Sequence, residues 1–504
     1  MNAHVSELNQ SRAKTTATPN WPVLALAVSI VILIVLQIAI WRINGLWLDE
    51  LYSLWASDPS TPFREDFFAR IAPDTNPPGY YSLLYFARLF VSDGRIAAIA
   101  LNAFFLAAAA IVTYLSARRA HLVPLALLSF SGFLLSGPVG YYMPEARAYF
   151  GALAVAFVAS WFVVLQVVNP GKRLSLLWFI SFGAFAAFMH LYASLYCCCL
   201  AAGLLAVAMT YPSHRSLFKG AIALGGTAAL ISSLWLLTIL NSLDQVAWIQ
   251  FNVLSVTHAI LSVLVVSGAP ILLALVFISV ICGNKRGGCY PLLIAFSVTY
   301  FLFFMLPVLV SFEKPVIVDY YWLVGSPGII VFASFQLQRL YLDSTNHDGT
   351  IADRRVLYVA SALASVWIVL SLAAAYQRFA YKMVWRGAVD VSAFLARCPS
   401  QSVHVGTGLR VQDGKLFFLW SNVPFFAFLT GQPADKFVPA VGFDGPLLSS
   451  RDAKCPVLGW AEHLSPSKLK KLSDGDLLRL LRIEASDKGV TIRRYYSGFV
   501  VLRR

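Results

Sequence analysis

The sequence predicts a mainly α-helical protein: a polytopic bundle of about eleven transmembrane helices followed by a C-terminal extracytoplasmic α/β domain. Three observations carry that expectation. Of 504 residues, 58% are hydrophobic and only 13% are charged, where an ordinary soluble domain holds about 45–50% and about 25%. Eleven apolar runs, most near the ~20 residues needed for one bilayer crossing, follow one another between residues 21 and 376. From residue 377 onward charges return and the apolar runs shorten. Disorder, coiled coil, collagen and an ordinary cytosolic enzyme are excluded by the composition alone.

Residues 1–20 are polar, carry Arg12 and Lys14, and read as a cytoplasmic N-terminal tail. The run 21–41 is longer than a signal-peptide core and lacks a small-residue cleavage pattern before Arg42, so it is expected to be a retained first helix. Further runs lie near 95–116, 123–141, 148–168, 174–190, 192–210, 220–240, 255–282, 290–311, 320–338 and 356–376. Their connections alternate in charge. Arg118-Arg119, Lys172-Arg173, Arg215 with Lys219, Lys285-Arg286, and Arg339 with Arg354-Arg355 fall on one side. Asp49-Glu50, Glu145, Asp244, and Glu313 with Asp319 fall on the other. Because basic loops stay in the cytoplasm, the expected protein is multi-pass in the plasma (inner) membrane, with its N-terminus inside and its tail outside. The net charge of +14 then reflects this orientation and a solvated basic tail. Membrane lipids are the expected surroundings, and nucleic acid is not an expected partner.

The transmembrane domain, 21–376, includes an outer loop at 44–94. The apolar stretch 78–91 inside it is too short to span and contains Arg88, so surface-lying amphipathic helices are expected there. Leu51, Leu54 and Trp55, spaced by three and four, give one such face. In the tail, 377–504, helices are expected at 385–396 and 477–483 and a strand at 402–406. A hairpin of 490–493 with 499–503 is expected around Ser497-Gly498. A segment of this length suffices for an independent domain. Cys197, Cys198, Cys199 and Cys282 sit in apolar runs and read as small core residues. Cys398 and Cys455 both lie in the tail, where an oxidising compartment would permit a disulfide.

The spans are almost devoid of ionisable groups in their middles, where a charge costs at least ~2.5–3.5 kcal/mol. Carboxylates gather instead at one mouth: Asp49, Glu50, Asp74, Glu145 and Asp319. That distribution favours chemistry at the outer face over a multispan lipid or solute transporter or flippase, the alternative reading, and over a scaffold. In the first loop, Asp49 and Glu50 on a helix point about 100° apart, so only one readily faces a given cavity. Pro77-Pro78 starts a helix that carries Tyr80 and Tyr81. The segment 140–149 holds Tyr142, Glu145, Arg147 and Tyr149; its acid and base either pair with each other or line a cavity. His190 stands at a helix mouth, where a structural hydrogen bond is the commoner role. No segment shows metal-ligand spacing, since His190, His258, Glu145 and Asp319 are separated by whole helices. No cofactor is expected, with a divalent cation left open.

Taken in order, these segments resemble the GT-C glycosyltransferases that use polyprenyl-phosphate sugars. The similar branch holds lipopolysaccharide-core galacturonosyltransferases, aminoarabinose transferases and protein O-mannosyltransferases. Trp47, Asp49 and Glu50 match the family's first-loop acidic pair; Pro77 to Tyr81 match its Pro-Pro-x-Tyr-Tyr segment; Tyr142, Glu145, Arg147 and Tyr149 match its Tyr-x-x-Glu-x-Arg-x-Tyr segment. His190-Leu191-Tyr192, the stretch 314–327 and Trp385-Arg386-Gly387-Ala388 resemble later segments. Two positions depart from the pattern: Asn76 stands where His or Lys is common, and Tyr320-Tyr321 where Arg-Tyr is common.

The resemblance implies a GT-C type bundle and an inverting transfer. The sugar passes from a polyprenyl-phosphate donor to a cell-envelope glycan, lipid or protein acceptor. Such a reaction needs a carboxylate to take the acceptor proton, cations for the departing phosphate and exclusion of water. Asp49 is the implied general base, with Glu50 beside it and Glu145 as the other carboxylate candidate. Arg147, Lys314 and Asn76 are the candidate phosphate contacts. Tyr80, Tyr81, Tyr142, His190 and Tyr320 are the candidate cavity-lining residues. With the N-terminus inside and eleven crossings, a reporter fused after residue 380, or a cysteine labelled there, is expected to report the outer side; a cytoplasmic signal overturns this topology.

Overall fold

The computed structural model describes residues 21–43, 48–74, 76–169, 175–239, 256–257, 290–312, 316, 319–345, 351–380, 386–399, 402–412, 415–420, 423–440, 458–462, 469–481, 483, 490–494 and 498–503. The chain divides into two compact units, one of Met1–Ile38 with Ser57–Tyr376, the other of Ala39–Ala56 with Gln377–Arg504.

The first unit is helical and marks an integral membrane protein. Among the described residues, six helices are long and apolar enough to cross a bilayer: Trp21–Ile40, Gly94–Ala120, Tyr149–Val168, Leu191–Thr210, Leu217–Leu236 and Tyr290–Ser311. Val123–Leu134, Leu176–Met189 and Ser361–Ala373 are shorter apolar helices, and the expected run 255–282 lies almost wholly outside the described residues. Two expected spans are interrupted. The run 123–141 breaks into Val123–Leu134 and Gly137–Tyr142, with Ser136 extended (ψ 141°) between them. Pro138 in the second helix's first turn has no N–H to continue the first. The run 320–338 begins as Asp319–Trp322 and a 3-10 turn, Leu323–Gly325, before the α-helix Ser326–Thr345, whose second residue is Pro327.

Helix Tyr149–Val168 is buried along nearly its whole length. It contacts Gly94–Ala120, Ser326–Thr345, Leu191–Thr210 and Leu176–Met189. Other helices of the unit keep apolar side chains exposed, among them Phe104, Ile111, Leu230 and Phe301, the surface a lipid environment requires. Where association cannot draw on water exclusion, small residues let helix backbones approach. Gly203 lies against the Ala295 carbonyl and Gly183 against that of Leu224, leaving no room for a Cβ at either. Gly203→Leu is expected to force Leu191–Thr210 away from Tyr290–Ser311, costing at least ~1–3 kcal/mol. A clearly lowered Tm in detergent checks this, and an unchanged Tm would show that the contact yields.

Residues 57–93 form a compact connection. Helix Phe63–Asp66 runs into a π-helical turn, Phe67–Ile71, and Gly79–Arg88 follows. The last helix buries Tyr80, Tyr81, Leu84 and Tyr85 and exposes Leu83, Phe86 and its neighbour Phe90, so it is amphipathic as expected. Arg88 Nη1 donates to the Ser57 carbonyl at 2.9 Å and Tyr85 donates to that of Thr61 at 2.8 Å. Asp66 is fully buried and lies 3.1 Å from Arg70 Nη1. Burial pushes its carboxyl up to about 6, Asp58 adding to the rise and Arg70 and Arg88 opposing it. The folded protein thus holds this proton more tightly than the unfolded chain. The stability it contributes is fully present below about pH 3.8 and is lost as pH rises through about 6. Tm is expected to fall across that window, and Asp66→Asn should flatten the slope; an equally steep slope in the variant assigns it to another group.

In the second unit, helix Leu48–Trp55 contacts Val423–Thr430. The sheet has the order β2-β1-β4-β6-β5, from β1 (Val403–Gln412), β2 (Lys415–Trp420), β4 (Leu458–Glu462), β5 (Val490–Arg494) and β6 (Phe499–Arg503); β3 (Phe437–Pro439) also pairs with β1. The β1–β4 and β1–β3 pairs are parallel, and the others are antiparallel, including the expected β5–β6 hairpin. Period-two alternation gives each strand two apolar faces. Trp460 and Val500 meet Val391, Phe394 and Leu395 of helix Arg386–Arg397. Ala461, Phe499 and Val501 meet Leu477 and Leu478 of Asp474–Leu480. Cys398, at the end of Arg386–Arg397, is disulfide-bonded; Cys455 lies outside the described residues.

Candidate functional site

Four parts of the helical unit meet at one end: Asp74 with residues 76–81, residues 142–149, His190 between two helices, and Val316 with Tyr321. Helices Gly94–Ala120, Tyr149–Val168 and Leu191–Thr210 start at this end. They run toward the end that holds Arg118 and Arg119 and where His214 Nε2 lies 3.1 Å from the Val167 carbonyl.

The segment 142–149 is held from beneath by Asn102, a fully buried side chain two turns into its helix. Its Nδ2 donates to the carbonyls of Glu145 at 2.8 Å and Met143 at 3.0 Å, and the Tyr80 hydroxyl donates to the Glu145 carbonyl at 3.4 Å. Glu145 is fully buried and Arg147 only 6% exposed. Arg147 Nη1 donates to the Tyr81 hydroxyl at 3.1 Å, which in turn donates to Asp74 Oδ2 at 2.6 Å. Nη2 donates to the Tyr149 hydroxyl at 3.4 Å, and the guanidinium carbon lies 5.4 Å from the Tyr149 ring centroid. The Tyr142 and Tyr149 rings lie 4.9 Å apart. His190 sits 5.3 Å from Tyr149 and 5.1 Å from Tyr321, ring to ring, and the Tyr192 hydroxyl donates to the Val316 carbonyl at 2.7 Å. The result is a cation fixed among hydroxyls and aromatic faces at the end of an apolar bundle, a setting suited to an anionic group.

The structure thus gathers Tyr80, Tyr81, Tyr142, Glu145, Arg147 and His190 into one place. Asn76 adjoins them but spends its amide on Asp74 Oδ2, 3.2 Å away. Lys314 lies outside the described residues, as does the Tyr320 side chain, whose backbone belongs to Asp319–Trp322. Asp49 and Glu50 belong to the second unit, on helix Leu48–Trp55, where Glu50 is fully buried and Asp49 half-buried. Among the described residues no group of three or more His, Cys, Asp or Glu side chains is placed to hold a metal ion. Asn102 and Tyr321 are the members of the cluster that the sequence pattern leaves out. An Asn inside an apolar run is the one signal that marked the first. Tyr321 shares its signal with Tyr320, being half of the same departure from the family pattern.

No known family profile matches the sequence, and no curated protein sequence matches it. Solved structures do match. ArnT from Cupriavidus metallidurans, crystallised with bound undecaprenyl phosphate, aligns with a TM-score of 0.52 at 15% identity over 96% of this chain and 98% of its own. Its apo form aligns with a TM-score of 0.52 at 14% identity, covering 96% and 97%. This chain has the GT-C fold. An oligosaccharyltransferase from Archaeoglobus fulgidus, tethered to an acceptor peptide, aligns at 11% identity with a TM-score of 0.48 over 97% of this chain and 74% of its own.

Within this GT-C bundle, Asn102→Leu is expected to insert normally but to take the Asn102 amide from the Met143 and Glu145 carbonyls, a loss of ~1–3 kcal/mol. Thermal unfolding in detergent measures it; a variant as stable as the parent would mean that the segment holds without its clamp.

Proposed function

We propose that this protein is an inverting glycosyltransferase. It transfers a sugar from a polyprenyl-phosphate donor to a glycan, lipid or protein acceptor at the outer face of the membrane. The observation that carries the reading is Arg147, a buried guanidinium held by Tyr81 and Tyr149, in the fold of a protein crystallised with undecaprenyl phosphate. The acceptor hydroxyl oxygen attacks the anomeric carbon as its proton passes to Asp49, and the bond from that carbon to the phosphate oxygen breaks. The phosphate leaves with the electron pair and inverts the centre. Arg147 takes up the developing phosphate charge by two-pronged hydrogen bonding, and Lys314 is the second candidate cation.

An outer location is supported by the cluster lying at the end of the helices away from Arg118 and Arg119. The disulfide at Cys398 supports an oxidising compartment for the tail. Eleven crossings with the N-terminus inside satisfy both.

Glycan mass spectrometry of cells with and without the gene should show a lipid-linked or envelope glycan that loses one sugar. With purified protein, Asp49→Asn is expected to lower transfer by ~10²-fold or more at equal expression, and Glu50→Gln to be milder. Near-parental turnover by Asp49→Asn removes the base from this mechanism. Arg147→Lys should lose most activity, because a point charge does not reproduce the fork; retained activity would shift the phosphate role to Lys314.

A further inference from the structure

The cluster contains a hydrogen-bond donor that none of the described residues accepts from. His190 is 2% exposed and ends one apolar helix while capping the next. Its Nδ1 accepts the backbone N–H of Tyr192 at 3.1 Å. An imidazole nitrogen that accepts carries no proton, so in the neutral ring the proton sits on Nε2. Nε2 is buried and, among the described residues, has no hydrogen-bond partner. A buried N–H without a partner is destabilising, and such groups point to a missing ligand or water. Around it stand the rings of Tyr149, Tyr192 and Tyr321, and Tyr149 is also the residue on which the Arg147 guanidinium rests.

We infer that His190 Nε2–H is a binding donor for a phosphate oxygen of the lipid-linked substrate, acting beside Arg147. This rests on the lipid-phosphate reading of the site and adds to it a division of labour within one ring. Nδ1 is spent on the helix start, which fixes the tautomer and the ring orientation, and Nε2–H is held ready for an anionic acceptor. A neutral donor suits a group that must bind the phosphate in both donor and product states, because it adds no further charge to an apolar helix end. A structural role for His190 would need only the Nδ1 cap.

That difference supplies the test. His190→Asn keeps a side-chain oxygen able to cap the helix, Asn being among the preferred cap residues, but removes the Nε2–H; His190→Ala removes both. Undecaprenyl phosphate, with undecaprenol as the phosphate-free control, is titrated into the full-length protein in nanodiscs, and Tm is recorded for each variant. The expected result is a parental Tm for His190→Asn with affinity for undecaprenyl phosphate weakened about tenfold or more. His190→Ala should lose both affinity and stability, and undecaprenol binding should be equal in all three proteins. Parental affinity in a folded His190→Asn overturns the inference and leaves Nε2 to a buried water or a ring face. Should that variant fail to fold, the 15N-labelled imidazole of the unaltered protein decides. A shift of the Nε2–H resonance on adding undecaprenyl phosphate, absent with undecaprenol, upholds the donor role, and no shift removes it. If the unaltered protein itself does not bind undecaprenyl phosphate, the lipid-phosphate reading falls and takes this inference with it, an outcome recognisable because it precedes any substitution.

Discussion

A guanidinium buried at the end of an apolar helix bundle must be surrounded by acceptors, because withdrawing an ion from water carries a penalty of several kcal/mol. The surroundings of Arg147 answer that requirement. Two tyrosine hydroxyls reach it from different segments, Tyr81 from the helix after Pro77-Pro78 and Tyr149 from the start of the central helix. The Tyr81 hydroxyl donates in turn to Asp74 Oδ2, so this carboxyl group stands one hydroxyl away from the cation on this route. Such a relay spreads charge over several groups.

This arrangement works only if the segment 142–149 cannot shift, and the rest of the unit fixes it. Asn102 and Tyr80 converge on the carbonyl of Glu145, tying the segment to a transmembrane helix and to helix Gly79–Arg88 at once. The break at Ser136–Pro138 lets the chain turn before it reaches the site. Gly79 lies against the Phe188 carbonyl with no room for a Cβ, which brings helix Gly79–Arg88 close to the end of Leu176–Met189. The buried Glu145 and Arg147 thereby stand at an end of the bundle, where the cost of charge in lipid is lowest.

The second unit follows different rules. Its sheet is covered on two faces, because Trp460 and Val500 point one way while Ala461, Phe499 and Val501 point the other. The order of the strands interleaves distant segments: β4 pairs with β1 in parallel, and the C-terminal hairpin joins the far side of β4. The helix carrying Asp49 and Glu50 belongs to this unit.

Much of this was legible in the sequence. Apolar runs of bilayer length identify themselves by composition, and the spans 95–116, 148–168, 192–210 and 290–311 correspond closely to helices, because a helix in lipid is dictated by local hydrophobicity and by backbone satisfaction within the segment. The C-terminal hairpin was equally local. The break near Pro138 and the late start of the helix at Ser326 were misjudged, because hydropathy cannot distinguish an apolar helix from an apolar turn. Arg147 was marked as a phosphate contact, Glu145 as a carboxylate candidate, and Tyr80, Tyr81, Tyr142 and His190 as cavity-lining residues, yet their pairings were not. That Tyr81 bridges Arg147 to Asp74, that Asn76 is spent on that acid, that Asn102 clamps the loop, and that His190 caps with one nitrogen and not the other depend on contacts up to 66 positions apart in the chain. Hydrogen bonds require donor and acceptor within about 3 Å at a defined angle, and only the packing of the helices sets such distances.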